Sequence, residues 1–183
     1  MSMSKLSVSL AAASLLAISG GALANPMVGG AAMYETKNIV ENAVKSKDHT
    51  TLVAAVQAAG LVDTLASAGP FTVFAPTNAA FGKLPAGTVD TLLQPENKGT
   101  LTAVLTYHVV AGRLSAGQIA AMAKKNGGKA VLTTVQGAQI TISGMGGKFY
   151  VTDAKGGKAQ ITIADVNQSN GVIHVIDGVL IPG

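Results

Sequence analysis

Three histidines, at positions 49, 108 and 174, are the side chains best suited to acid–base chemistry or metal binding. They are scattered along the chain without close acidic companions, apart from His49, which follows Asp48 and is expected at the surface. The sequence contains no nucleophile elbow, no HExxH motif and no phosphate-binding loop. We therefore predict no metal centre, no bound cofactor and no catalytic activity.

The other two histidines lie in apolar runs, which favours burial over catalysis. His108 follows Tyr107 in the run LTYHVVAG, and we expect a buried histidine whose hydrogen bonds hold a helix against a sheet. His174 occupies a polar position within the run GVIHVI and is expected to bond to a neighbour. Both residues are thus predicted to serve the fold.

The composition of the 183-residue chain is that of a folded domain, and it excludes several function classes. Hydrophobic residues make up 48% and charged residues 12%, the reverse of the balance in a disordered chain. The absence of cysteine excludes disulfides, thiolate zinc sites and a cysteine nucleophile. Because only 4% of the residues are aromatic, a surface that stacks nucleic-acid bases is not expected.

The first 24 residues have the organisation of a secretory signal peptide. Lys5 precedes an apolar run, Leu6 to Ile18, that is shorter than the roughly 20 residues a membrane span needs. The small residues of Ala22 to Ala24 predict cleavage there, with Asn25 as the new terminus. We therefore expect an exported protein, periplasmic or extracellular and not membrane-spanning, with a short N-terminal extension over residues 25–34.

Basic residues concentrate in the second half of the chain. Residues 113–158 carry seven basic side chains and a single acid, Asp153, for a net charge of +6. Lys148, Lys155 and Lys158 fall at expected hairpin tips, where lysines commonly keep sheets soluble. The alternative is an anion-attracting face for an acidic polysaccharide or lipid headgroups. Nucleic acid is not an expected partner, because no recognition motif is present.

The spacing of apolar residues predicts helices in the first half of the chain and strands in the second. Thr36 is the expected cap of the first helix and Asp48 or Thr50 that of the second. FTVFAP forms a short strand before a helix that Thr77 or Asn78 would cap. The second helix carries the apolar stripe Leu52, Val53, Val56 and Ala59 and is expected to stop at Gly60. The other helices are expected over residues 37–45, 61–67, 87–94, 98–107 and 116–125. After residue 128 the apolar period becomes two, which indicates an α+β domain with antiparallel strands.

Four blocks of the sequence resemble, in order, the signature segments of the fasciclin-like domain family. They are TLVAAVQAAGLVDTL (51–65), TVFAPTNAAF (72–81), LTYHVVAG (105–112) and NGVIHVIDGVLIP (170–182). The resemblance identifies residues 35–183 as the domain. It implies an α+β fold in which N-terminal helices pack against an antiparallel β-sandwich or wedge. It also implies a single-domain bacterial-type member that is an exported, non-enzymatic adhesion or interaction module of the cell envelope or extracellular matrix.

The resemblance also marks two pairs of residues as candidate contact sites. Tyr107 and His108 lie where the family has been linked to integrin-type recognition. Asp165 and Val166 occupy the position where adhesive members carry an Asp-Ile pair implicated in receptor contact. The residues on either side depart from the adhesive pattern, and a strand-end aspartate that satisfies a turn is the alternative interpretation. The expected partner is a cell-surface or matrix protein or a polysaccharide.

Some members of this family hold a lipid or a carotenoid against the helices, which gives an alternative function. The small apolar residues of AAVQAAGLV and QIAAMA would line a groove for such an apolar ligand. The same residues also permit close packing of helices. A coloured or lipid-loaded preparation from the native source would favour the carrier over the adhesion module.

Overall fold

The computed structural model describes residues 25–183, so the expected signal peptide over residues 1–24 lies outside the described residues. The α-helices in this range are α1 (Ile39–Ala43), α2 (Thr50–Ala59), α3 (Val62–Ala66), α4 (Asn78–Gly82), α5 (Thr88–Leu92), α6 (Lys98–Tyr107) and α7 (Ala116–Lys125). The strands are β1 (Met27–Val28), β2 (Ala31–Ala32), β3 (Phe71–Pro76), β4 (Val109–Ala111), β5 (Lys129–Thr133), β6 (Gln139–Met145), β7 (Lys148–Thr152), β8 (Lys158–Gln168) and β9 (Gly171–Ile176). Within residues 25–183, no helix has the length and hydropathy needed to cross a bilayer.

Seven of the strands form one sheet in the order β4-β3-β9-β8-β7-β6-β5. Neighbouring strands are antiparallel, as expected, except that β3 and β9 run parallel with Phe71 beside Gly171. An isolated bridge links Val110 of β4 to Thr134, the residue after β5, so the two ends of the strand order approach each other at that point. The sheet is thus mostly antiparallel, as predicted. The one parallel pair was not predicted, because apolar periodicity identifies strands without giving their relative direction.

Strand β9 lies inside the sheet and separates two hydrophobic cores. Its side chains alternate between the cores, as those of a strand buried on both faces do. Ile173 and Val175 belong to a helical core that includes residues of α1, α2 and α6. Ile176 belongs to a strand core with Phe74, on which the ring of His174 stacks. The strand therefore connects the two halves of the domain.

Helix α1 begins at Ile39, two residues later than the sequence indicates. Its cap is Asn38 rather than the expected Thr36. Asn38 Oδ1 accepts a hydrogen bond from the Glu41 N–H at 2.9 Å, and Glu41 Oε2 accepts one from the Asn38 N–H at 2.8 Å. This reciprocal pair satisfies two backbone N–H groups at the start of the helix. Because the cap is Asn38, the helix begins at Ile39 and is shorter than the sequence indicates.

Helix α2 is capped from a distant part of the chain. The expected caps, Asp48 and Thr50, accept no hydrogen bond from the first N–H groups of α2, which follows a 3₁₀ turn over Lys47–His49. Instead, Asn78 Oδ1 accepts from the Thr51 N–H at 3.0 Å. Because Asn78 is the first residue of α4, this bond ties two helices together. Thr77 caps α4 itself, as predicted.

Residues 25–34, the expected N-terminal extension, pack against the domain. Strands β1 and β2 pair as a short hairpin. Val28 and Met33 are buried in the helical core. The Gly29 carbonyl accepts from the Lys47 N–H at 3.1 Å. The segment therefore contributes to the core, although it precedes the domain boundary inferred from the sequence.

The turn Asn170-Gly171 joins β8 to β9 and fixes the helices to the sheet. Asn170 Oδ1 accepts from the Ile39 N–H at 3.0 Å, and Asn170 Nδ2 donates to the Leu65 carbonyl at 2.7 Å. Close packing requires glycine at position 171, since a Cβ there would lie 2.1 Å from the Phe71 carbonyl oxygen. The sequence predicts this turn, and the structure shows that the turn connects α1 and α3 to the sheet.

Candidate functional site

Tyr107, the first residue of the first candidate contact pair, lies inside the protein. It is the last residue of α6 and is fully buried. Its hydroxyl donates to the Gln139 carbonyl at 2.9 Å and accepts from the Ala154 N–H at 2.9 Å. The phenol thereby joins α6 to β6 and to the turn that follows β7.

His108 caps the same helix and connects it to the C-terminal segment. Its side chain is buried. Nδ1 lies 2.7 Å from the Val104 carbonyl oxygen, and Nε2 lies 2.9 Å from the Leu180 nitrogen. Because a backbone N–H can only donate, Nε2 accepts from Leu180, and the ring proton on Nδ1 donates to Val104. The burial and the hydrogen bonds of His108 are as predicted, but the helix is held to the C-terminal segment at Leu180 rather than to a strand of the sheet.

The surroundings of His108 keep its imidazole neutral. Burial lowers the pKa of His108 from 6.5 to about 4, against the smaller opposing effects of the Val104 carbonyl and Asp153. A second ring proton would point at the Leu180 N–H, which is also a donor, so protonation would break that hydrogen bond. At neutral pH the ring is therefore a fixed connection between α6 and the C-terminal segment.

Asp165 and Val166, the second candidate pair, lie where β8 is irregular. The pairing of β8 with β9 shifts register around these residues, and Asp165 adopts a left-handed φ of 56°. Asp165 is exposed, and its Oδ1 accepts from the Ala116 N–H at 2.7 Å at the start of α7. Val166 is fully buried in the helical core. Only the aspartate of this pair is therefore on the surface of the folded domain.

His174 joins the irregular part of β8 to the segment before α7. Its Nδ1 accepts from the Asp165 N–H at 3.2 Å, and its Nε2–H donates to the Leu114 carbonyl at 2.8 Å. Burial lowers the pKa of His174, while the Leu114 carbonyl and the Asp165 carboxylate act in the opposite direction. The neutral ring thus holds β8, β9 and the start of α7 together.

His49 is buried, which corrects its expected surface position. The side chain is only 3% exposed, because the 3₁₀ turn directs it into the helical core while Asp48 stays exposed. Its Nδ1 lies 2.9 Å from Ser46 Oγ, and its Nε2 has no hydrogen-bond partner within residues 25–183. Burial lowers the pKa of His49, against opposing effects of the Ala75 backbone and Asp48.

The ring of His49 lines a cavity in the helical core. The cavity has a volume of about 80 Å³, and Val56, Phe71 and Ile173 are among its walls. An engineered apolar cavity of about 150 Å³ holds benzene. A lipid or a carotenoid is much larger than benzene, so the volume of this cavity gives no support to the binding of either one.

The three lysines at the expected hairpin tips do not form one cluster. Lys148 begins β7 opposite Met145, and Lys158 begins β8 opposite Thr152 at the other end of β7. These two ends are about 13 Å apart at the usual rise of a strand. Lys155 lies in the turn between the two strands, and all three lysines are exposed. The predicted group of lysines is therefore divided between opposite ends of β7.

The solvent-facing side of strands β5–β8 carries hydroxyl, amide and lysine side chains. Alternate residues of these strands are buried in the strand core, so the residues between them point outward. We call this surface the outward face, formed by Lys129, Val131, Thr133, Gln139, Thr141, Ser143, Met145, Lys148, Tyr150, Thr152, Lys158 and Gln160. None of these residues bears a carboxylate.

The row of residues across the middle of the outward face is not evident from the sequence. Lys129 lies beside Ser143, Ser143 beside Tyr150, and Tyr150 beside Gln160, so that four strands contribute one row. The period-two runs of the sequence do contain polar residues at the positions that face outward. Assembling the row requires the order and register of the strands, which the sequence does not supply.

The buried polar side chains connect parts of the fold. Besides the histidines, Asp153 accepts from the N–H groups of Gly157 at 2.7 Å and Ile181 at 3.1 Å. Within residues 25–183, no three His, Asp or Glu side chains are grouped so that they would hold a metal ion. The described residues therefore form an α+β domain. Its buried polar side chains hold parts of the fold together, and the solvent-facing side of its sheet is polar.

The chain belongs to the Fasciclin domain family, whose profile matches residues 47–182. It is similar to protein sll1483 of Synechocystis sp., with 47% identity over 156 residues that cover 85% of this chain and 79% of that protein. Cell surface glycolipoprotein MPB83 of Mycobacterium bovis is 39% identical over 122 residues, which cover 67% of this chain and 48% of that protein. These matches confirm the family predicted from the sequence.

A solved structure supports the fold independently. A FAS1 domain pair from the insect cell adhesion molecule fasciclin I superposes with a TM-score of 0.70 at 18% identity. The superposition covers 79% of this chain and 50% of that chain, so this chain spans half the length of the pair. At this identity the likeness establishes the fold alone, and it confirms the predicted α+β class.

Proposed function

We propose that this chain is an exported, non-enzymatic adhesion or interaction module of the cell envelope or extracellular matrix. The observation that carries the proposal is membership of the Fasciclin domain family, whose members similar to this chain include a cell surface glycolipoprotein. The signal-peptide pattern of residues 1–24 supports export, with residues 25–183 as the mature chain in the periplasm or outside the cell.

The interior contacts favour a binding role over a catalytic one. A general acid or base must reach a proton of its substrate. Both ring nitrogens of His108 and of His174 are instead bonded to backbone groups of the domain. The solvent-facing surface is the part of the described chain that is available to a partner.

The partner, in this proposal, is a cell-surface or matrix protein or a polysaccharide that meets the exposed surface. Tyr107, His108 and Val166 are buried, which argues against direct contact through them. Asp165 stays a candidate contact residue, because it is exposed although one carboxylate oxygen is bonded to α7. The size of the helical-core cavity gives no support to the alternative role as a lipid or carotenoid carrier.

An adhesion assay tests the proposal. Beads coated with residues 25–183 would be applied to intact envelope and matrix preparations from the source of the protein, beside beads coated with the heat-denatured chain. We expect saturable binding of the native beads that the soluble chain displaces. Absence of displaceable binding to either preparation would refute the adhesion role, and lipid or pigment extracted from the native protein would favour the carrier.

The intact mass of the exported protein tests the inferred processing. Cleavage after Ala24 predicts a mature chain that begins at Asn25. A soluble exported product that retains residues 1–24 would contradict it.

A further inference from the structure

We propose that the outward face of β5–β8 binds an anionic polysaccharide. The inference rests on the proposed function and deepens it, because it names the surface and the chemistry of the partner. Three features of the outward face carry it: its charge, its hydrogen-bonding groups and its aromatic centre.

The charge of the outward face is positive and is not neutralised from within the domain. Lys129, Lys148 and Lys158 are exposed, and within residues 25–183 the ion pair present is Lys83–Asp177, at 3.5 Å. Asp153 is buried and bonded to backbone N–H groups. Asp177, whose Oδ1 accepts from the Gln160 N–H at 2.7 Å beside the outward face, is the acid of that ion pair. The lysines are therefore available to anionic groups of a partner.

The placement of these lysines exceeds what solubility of the sheet requires. Lys129 lies on β5 at the edge of the sheet order, where a lysine blocks pairing with another chain. Lys148 and Lys158 lie on β7 and β8, which have a partner strand on each side. Protection of a sheet edge therefore explains Lys129 but explains neither Lys148 nor Lys158.

The hydrogen-bonding groups of the outward face suit a sugar chain. Thr141, Ser143 and Thr152 present hydroxyls, which donate and accept, and Gln160 presents an amide with both functions. They lie on neighbouring strands about 4.8 Å apart, so a ligand that crosses the strands meets such groups in succession. Sugar hydroxyls also donate and accept, which makes the two surfaces complementary.

The centre of the outward face is aromatic. Tyr150 is half-buried between Ser143 and Gln160, and its ring offers a firm apolar surface to the C–H groups of a sugar. Lys148 is two residues away along β7, about 7 Å, and Lys129 is two strands away, about 10 Å. Positive groups therefore flank the aromatic centre on two sides, along the strand and across it.

A polysaccharide fits the outward face better than a lipid surface does. Membrane-surface elements insert a continuous apolar face among the lipids. Val131 and Met145 are the aliphatic residues of the outward face, and they lie on different strands at positions that do not pair with each other. The remaining positions other than Tyr150 carry hydroxyls, amides or amines. The face has the charge for anionic headgroups but lacks the apolar area that would anchor it in a bilayer.

Titration with polygalacturonate, a carboxylated polysaccharide, tests the inference on residues 25–183. Neutral dextran and vesicles of phosphatidylcholine with phosphatidylglycerol are the comparison ligands. We expect binding to polygalacturonate alone, weakening as salt rises from about 0.1 M to 1 M, because the screening length falls from about 10 Å to about 3 Å. No binding to polygalacturonate, or stronger binding to the vesicles, would overturn the inference.

Two triple variants locate the binding. K129Q/K148Q/K158Q removes the charges of the outward face, and K45Q/K47Q/K98Q removes three exposed lysines elsewhere with the same change in net charge. Since each exposed ion pair is worth a factor of about 1.5 to 5, the first variant should lose about tenfold in affinity and the second less than about twofold. Equal losses would show that net charge alone drives binding and would overturn the assignment.

The aromatic centre and the fold are checked separately. Tyr150→Ala should weaken polygalacturonate binding about fivefold without changing its salt dependence, as expected when a neutral sugar contact is lost. Circular dichroism should show the fold intact in all variants, because exposed lysines contribute little to stability. Envelope adhesion that persists without polygalacturonate binding would overturn this inference and leave the proposed function standing.

Discussion

Replacing His108 by alanine should destabilise the domain by an amount that depends on pH. At pH 7 the change removes the acceptor of the Leu180 N–H, which is left buried, and it removes the donor to the Val104 carbonyl. An unsatisfied buried donor costs about 1–3 kcal/mol, and the space left by the ring adds to this cost. We expect the free energy of unfolding to fall by about 3 kcal/mol at pH 7.

The stability of the parent chain falls in acid because of the same residue. The pKa of His108 is about 4 in the folded state and 6.5 when unperturbed. Since the folded pKa is the lower one, the contribution of the neutral ring is present in full above pH 6.5 and is lost as pH falls towards 4. Between pH 7 and pH 5 this lowers the free energy of unfolding by about 2 kcal/mol.

The alanine variant cannot show this loss, so its deficit should shrink from about 3 kcal/mol at pH 7 to about 1 kcal/mol at pH 5. Urea titrations followed by circular dichroism at both pH values measure the deficit. His49 and His174 are present in both proteins, and their ionisation cancels in the difference to a first approximation. Ile142→Ala, a change in the strand core without an ionisable group, is the control and should show a constant deficit. A His108→Ala deficit that is equal at both pH values would refute the reasoning.

Two further predictions concern stability, and thermal melts at pH 7 measure both. Gly171→Ala should lower the free energy of unfolding by at least about 2 kcal/mol, because the new Cβ would lie 2.1 Å from a carbonyl oxygen of β3. Gly99→Ala, in open space on α6, should be neutral or stabilising by up to about 1 kcal/mol, and equal losses in the two variants would contradict the packing argument. Asp165→Ala should lose about 1 kcal/mol because the Ala116 N–H loses its acceptor, whereas Asp165→Asn keeps an oxygen and tolerates the left-handed backbone. A loss as large for asparagine as for alanine would show that the negative charge, rather than the hydrogen bond, stabilises α7.

Elements whose signals are local were predictable from the sequence. Helices α6 and α7 were expected over residues 98–107 and 116–125, and the structure has them over the same residues. For α7 the start at Ser115 and the stop at Asn126 to Gly128 are set by neighbouring side chains and turns. Strand β3 ends at Pro76 for an equally local reason, since proline has no N–H to continue the ladder.

Features that depend on distant contacts were not predictable in the same way. The cap of α2 comes from Asn78, and nothing in the sequence around Thr51 reveals it. The parallel direction of β9 beside β3 depends on the path of the whole chain between them. His49 is buried because the turn that carries it packs on the helical core, whereas its neighbour Asp48 suggests a surface position.

The candidate site also combines features that the sequence predicts with features that depend on distant contacts. The apolar run around His108 correctly indicates burial, although the resemblance to the family marks that position for recognition. The sequence predicts Lys148 and Lys158 as basic residues at hairpin tips. Their place on one outward face with Lys129 and Tyr150 follows from strand order and register, which only the folded sheet provides.

The most direct test of a binding role for the outward face is an amide NMR titration of ¹⁵N-labelled residues 25–183 with solubilised envelope material from the source of the protein. We expect chemical-shift changes concentrated at Lys129, Ser143 and Tyr150, with little change at His49 and Val56 beside the cavity. Shifts confined to His49, Val56 and the other walls of the cavity, with the outward face unaffected, would contradict that binding role.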